Sequence, residues 1–152
     1  MAGAAASLDL FRVWCPIRIA WGDMDAYGHV NNARYFTFCE SARMSYFERV
    51  ELDTDRQHSS CGPALVQADL NFRQQVHYPA ELRAGARCTR LGTKSFALAY
   101  TVVHAESDEI VADGSSVVAW VDYAKSRAEA LPTDLRQRIE ALDAASLTPA
   151  DI

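Results

Sequence analysis

At 152 residues the chain is the size of one domain with a sizeable core, and 49% hydrophobic with 23% charged residues is an ordinary globular composition. A formal net charge of −5 excludes a bulk electrostatic pull toward nucleic acid or an anionic membrane, and no apolar run approaches membrane-spanning length. Cys15, Cys39, Cys61 and Cys88 are widely spaced, with no CxxC pattern. That argues against a zinc site or a compact disulfide framework and for reduced thiols in a cytoplasmic protein.

In chain order, Met1 to Ser7 lacks the basic and apolar regions of a signal peptide, and residues 1–11 read as a loose lead-in. From Val13 to Trp21 the residues Val13, Cys15, Ile17, Ile19 and Trp21 share one parity, the mark of a half-buried strand, with Pro16 pointing to an edge. Gly22 to Val30 is a loop. Asn32 to Val50 switches to helical period, with Tyr35, Cys39, Ala42, Tyr46 and Val50 on one face and Phe36, Phe38 and Phe47 widening it. So broad an apolar surface predicts a helix buried on most sides.

Glu51 to Pro63 is polar and reads as a loop. Period-2 patterns then predict strands over Ala64–Val76, Glu81–Leu91, Ser95–Ala105 and Ile110–Tyr123, joined at His77-Tyr78-Pro79-Ala80, Gly92-Thr93-Lys94 and Ser107-Asp108-Glu109. Such short connections predict an antiparallel meander, with Gly114 as a bulge or a point of close packing. Val117–Val121 is a candidate surface for pairing subunits. Leu131-Pro132-Thr133-Asp134 opens a short last helix to about Leu142, and residues 131–152 form this helix and a tail. The expectation is one α+β domain over 1–152, an antiparallel five- to six-stranded sheet around one long central helix.

The chemistry concentrates between strand and helix. Gly22 to Asn32 holds Asp23, Asp25, His29, Asn31 and Asn32 with two glycines. Asn is a good helix N-cap, so the free N–H groups and positive dipole end of the helix would point back at Asp25. A carboxylate there is either a plain cap or a nucleophile or base beside a ready-made oxyanion site.

The run Asp23-Met24-Asp25-Ala26-Tyr27-Gly28-His29-Val30-Asn31-Asn32-Ala33-Arg34-Tyr35, followed by Glu40-Ser41-Ala42-Arg43, closely resembles the acyl-CoA thioesterases of the 4-hydroxybenzoyl-CoA thioesterase family. The resemblance covers roughly residues 12 to 125 and extends to the turn Leu91 to Phe96. It implies the hotdog fold and hydrolysis of an acyl-CoA, with coenzyme A part of the substrate and no separate cofactor or metal. It implies Asp25 as the catalytic carboxylate and N–H groups at about Asn31 and Asn32 as polarisers of the thioester carbonyl. It also implies a homodimer or homotetramer with sites shared across the interface. Some relatives carry histidine where this chain has Asn32 and tyrosine where it has Trp21, so those side-chain roles do not carry over.

His29 either assists catalysis or structures the loop. Asp23 is assigned a structural role, and Glu40 a lesser claim as catalytic carboxylate, because a related hotdog lineage uses a helix glutamate. Lys94 with Ser95 is the candidate cation site for coenzyme A phosphates, ahead of Arg73, Arg83, Arg87 and Arg90, most of which are expected to be solvated. Tyr35, Phe36 and Phe72 are candidates for the acyl pocket and equally for the core. His58-Ser59-Ser60-Cys61 lacks a G-x-S-x-G elbow, which argues against a serine or cysteine hydrolase. His77 and His104 are expected on a sheet surface or subunit contact. The rival readings are a hydratase or dehydratase of acyl thioesters using Asp25 and His29, and a non-catalytic acyl-thioester binding module.

Overall fold

The computed structural model describes residues 8–54, 57 and 59–147. Six strands, β1 (Val13–Arg18), β2 (Cys61–Phe72), β3 (Glu81–Leu91), β4 (Ser95–His104), β5 (Ile110–Asp122) and β6 (Arg127–Ala128), form one antiparallel sheet. Helix α1 (Asn32–Arg49) and helix α2 (Thr133–Asp143) complete the described elements. β1 stops at Arg18, shorter than its alternation predicts, and Trp21–Asp23 forms a single 3-10 turn that leaves Trp21 73% exposed.

The sheet order is β1-β3-β4-β5-β2, with β6 pairing the end of β5. Only β3, β4 and β5 form the predicted meander. β2 pairs with the far side of β5 in a register running from Cys61↔Asp122 to Phe72↔Ala112, while β1 takes the position beside β3. The connector from Arg73 to Ala80 must therefore cross the molecule, and it passes the start of α1, where the Val30 N–H donates to the Val76 carbonyl at 2.9 Å. Gly114 stands opposite Leu70, and a Cβ there would lie 2.0 Å from the Asp69 carbonyl oxygen. Close packing of β2 on β5 is thus the reason for that glycine.

α1 packs on one face of the sheet. Tyr35, Phe38, Cys39, Ala42, Tyr46 and Phe47 turn inward, against a layer that includes Leu82, Ala84, Phe96, Leu98 and Val102. The opposite side, with Phe36, Thr37, Glu40, Met44 and Glu48, is open to solvent. This corrects the expectation of a helix buried on most sides: of the residues that widen its apolar surface, Phe38 and Phe47 are buried against the sheet, while Phe36 is exposed and borders a cavity. β5 is interior to the sheet, with Val118 and Trp120 buried, and β1 and β2 are the edge strands. No helix among the described residues is long and apolar enough to cross a membrane.

Candidate active site

The Asp25 loop is a miniature hairpin. Met24 and Val30 form an antiparallel bridge, the Asn31 N–H donates to the Asp23 carbonyl at 2.9 Å, and the Asp25 N–H donates to the His29 carbonyl at 3.0 Å. The tip turns through Gly28 N–H donating to the Asp25 carbonyl at 3.0 Å, with Gly28 at φ 84°, a conformation that favours glycine. Asp23 closes the base: one carboxylate oxygen accepts the Ala20 N–H at 2.8 Å and the other lies 3.4 Å from Arg34 Nε. Its two oxygens are committed to loop and helix.

Asp25 differs. Its Oδ1 accepts the Tyr27 N–H at 2.9 Å, an Asx-turn that fixes the side chain, while Oδ2 has no hydrogen-bond partner among the described residues. One oxygen positions the carboxylate and the other faces no competing donor.

The helix start is equally selective. Asn31 is the N-cap, its Oδ1 accepting the Ala33 N–H at 3.1 Å and its carbonyl the Arg34 N–H at 2.9 Å. The Asn31 N–H is itself consumed by Asp23, so of the two amides expected as oxyanion donors only that of Asn32 is without a partner among the described residues. The physical reason is the hairpin, whose last rung uses the Asn31 N–H. An N–H at the first position of an 18-residue helix also carries the positive end of the macrodipole.

The His29 side chain is not hydrogen-bonded to the Asp25 carboxylate; the two residues meet only through the backbone. The His29 ring packs 4.7 Å from that of His77, and His77 Nδ1 lies 3.0 Å from the Gly28 carbonyl. His77 is therefore on the loop, not on a sheet surface, while His104 borders an open groove of about 970 Å³ with Trp21, His77 and Tyr78. Sequence reasoning missed His77 because the crossover that delivers it follows from strand order, which local periodicity does not carry.

Tyr35 is buried, the pKa of its hydroxyl pushed up by burial, and its ring meets Phe72 at 5.5 Å. Beyond this pair a cavity of about 160 Å³ is lined by Phe36, Cys39, Glu40, Arg43, Leu65 and Tyr100. Phe36 stands four residues into the helix, about 6 Å from Asn32 at 1.5 Å per residue. Burial pushes the Cys39 thiol up to about 12, so it is inert as a nucleophile. Arg43 donates to the Tyr100 hydroxyl at 3.3 Å, which in turn meets Ser116 at 2.7 Å. Glu40 is mostly exposed and 3.9 Å from Arg43.

Lys94 and Ser95 are not brought to Asp25 within one chain. Phe96, beside their turn, packs on Phe47 with ring centroids 6.2 Å apart. Phe47 is fifteen residues beyond Asn32, about 22 Å along the helix. Of the other arginines, Arg73 is paired with Asp113, Arg83 with Asp108, and Arg87 covers Phe11 with its charge disfavoured by burial. His58 lies outside the described residues. Among those described, no three His, Cys, Asp or Glu side chains gather as metal ligands.

The thioesterase-like superfamily matches residues 19–139. The chain is similar to the long-chain acyl-CoA thioesterase FadM of Escherichia coli (strain K12), 27% identical over 124 residues that span 82% of this chain and 94% of that protein. Among solved structures it is similar to the PA5185 protein of Pseudomonas aeruginosa strain PAO1, with TM-score 0.79, 31% identity and coverage of 89% of this chain and 94% of that one. It is also similar to a thioesterase of Thermus thermophilus solved with coenzyme A and zinc, with TM-score 0.76, 28% identity and coverage of 88% and 96%.

Proposed function

The chain belongs to the thioesterase-like superfamily and is a thioester hydrolase, and from that premise we propose that it cleaves acyl-CoA at the junction of the Asp25 hairpin and α1. The observation that carries this is the pairing of an oriented carboxylate, with Oδ2 unpartnered, and a helix-terminal N–H at Asn32, also unpartnered among the described residues. The thioester carbonyl oxygen accepts from the Asn32 N–H, where a preorganised donor of this kind contributes about 10²–10³ in rate. Asp25 then supplies oxygen, either attacking the carbonyl carbon to expel the thiolate and leave a mixed anhydride, or drawing a proton from an attacking water. Asn31 acts as the cap that holds the donor in place. His29 structures the loop. The hydrogen-bonded Asp25–His29 couple that hydration chemistry would call for is not assembled, because His29 packs on His77.

The Tyr35–Phe72 pair and the cavity beyond Phe36 form the acyl side of the proposed site, running inward along α1 from the reacting carbonyl. Thiol release across a panel of saturated, branched and aromatic acyl-CoAs tests the reading, with enoyl-CoA absorbance followed in parallel. Free thiol from at least one substrate is the expected result. Loss of enoyl absorbance without thiol, or ligand-induced thermal stabilisation without any turnover, would sink it.

A second copy completes this picture. β2 is a twelve-residue edge strand with Leu65 48%, Val66 61% and Phe72 45% exposed, and a long apolar edge is an open template for another strand. Two-fold pairing of β2 with its own copy reverses the partner's strands. The partner's Gly92–Ser95 turn then lies toward the Asp25 end of the first copy, where Lys94 could meet coenzyme A phosphates. The protein is expected to sediment as a dimer or tetramer at micromolar concentration. Leu65→Lys with Val66→Lys should give monomers that have lost most of their turnover. A monomeric wild type would remove the shared site.

A further inference from the structure

We infer that His77 is a positioning residue for Asp25, acting through the Gly28 carbonyl and the His29 ring; the role rests on the thioesterase reading above. The connector from Arg73 to Ala80 grips the hairpin on both of its strands and at its tip. The Val30 N–H donates to the Val76 carbonyl at 2.9 Å, the Tyr78 N–H lies 3.5 Å from Met24 Sδ, and His77 Nδ1 lies 3.0 Å from the Gly28 carbonyl oxygen. Of these three contacts, His77 alone reaches the tip of the turn that carries Asp25.

The chemistry of the contact fixes the histidine. A carbonyl oxygen only accepts, so Nδ1 must carry the proton and donate. Held there, the imidazole packs on the His29 ring, tilted at 59° with ring centroids 4.7 Å apart. One contact falls on the Gly28 carbonyl and the other on the His29 ring. Gly28 N–H donates to the Asp25 carbonyl, and the His29 carbonyl accepts from the Asp25 N–H, each at 3.0 Å. Asp25 is therefore tied by its own backbone to the two residues His77 holds. The tie is needed because the hairpin tip is otherwise exposed at Ala26, Tyr27 and Gly28, with a left-handed residue at its corner.

A catalytic carboxylate displaced by about 1 Å costs roughly 10²-fold in rate, whereas substrate contacts elsewhere are untouched. His77→Ala is thus expected to lower kcat by about 10–10²-fold with KM within about twofold. His77→Asn, whose side-chain N–H can still reach the Gly28 carbonyl, should recover most of that loss. Amide hydrogen exchange reads the same tie without substrate. In His77→Ala the Asp25 and Gly28 amides should exchange at least several-fold faster while those of β3 and β4 are unchanged, and His77→Asn should restore their protection. An unchanged kcat in His77→Ala, unchanged exchange at Asp25 and Gly28, or a loss that His77→Asn does not recover would each overturn the inference. Absence of thiol release from the wild type would overturn the thioesterase reading alone, leaving the exchange measurement to judge His77.

Discussion

Asp25→Asn is expected to lower acyl-CoA turnover by roughly 10²–10⁴-fold, the range ascribed to a positioned acid or base. The substitution is nearly isosteric, and the amide oxygen can still accept the Tyr27 N–H that orients the side chain at 2.9 Å. The backbone bonds from Asp25 to Gly28 and His29 do not involve the side chain at all. What is lost is the anionic Oδ2, which alone can attack a carbonyl carbon or draw a proton from water. The thermal midpoint should therefore stay within about a degree of wild type while thiol release falls to background. Activity within about tenfold of wild type would move the chemistry to another group, Glu40 first. Glu40 borders the acyl cavity, but its side chain is two-thirds exposed and leans on Arg43. It also stands eight residues beyond Asn32, about 12 Å along the helix from the amide that would polarise the carbonyl. Glu40 is neither oriented nor close enough to share that site.

The local devices were legible in the sequence. Alternation and helical period located five strands and both helices to within a few residues, and Asn31 at the helix start announced the cap that the structure displays. What was not legible depends on chain crossing. A four-strand meander follows naturally from short connectors, yet β2 pairs with the outer side of β5 and becomes an edge strand with Leu65 and Val66 exposed. The same crossing carries His77 to the hairpin and leaves Lys94 at the other end of the helix. Nor could period show that the Asn31 N–H is spent inside the hairpin, because that rung joins residues Asp23 and Asn31 only once the loop has closed.

Asp143→Ala is expected to destabilise the fold by roughly 2–5 kcal/mol, since it removes the one carboxylate oxygen that two buried groups share as acceptor. Asp143 closes α2 onto the sheet: its Oδ2 accepts the Tyr46 hydroxyl at 2.5 Å and the Cys88 N–H at 2.9 Å, joining α1, β3 and α2 at one atom. Its other oxygen is buried without a hydrogen bond among the described residues. Burial raises the Asp143 carboxyl above the ordinary carboxylate range, against the pull of the Tyr46 and Cys88 hydrogen bonds and of Arg87 and Arg12. The folded chain therefore holds this proton more tightly than the unfolded chain. The corresponding stability is complete below the unfolded value of about 3.9 and declines as pH rises through the folded one. Asp143→Asn mimics the protonated acid, retaining the acceptor for Tyr46 and Cys88, so it should remove that decline while Asp143→Ala lowers stability at every pH. Chemical denaturation of the three proteins from about pH 4 upward reads the difference. An Asp143→Ala protein as stable as wild type, or an Asp143→Asn protein with the wild-type pH slope, would show that the helix is held by its apolar contacts through Leu135 and Ile139 instead.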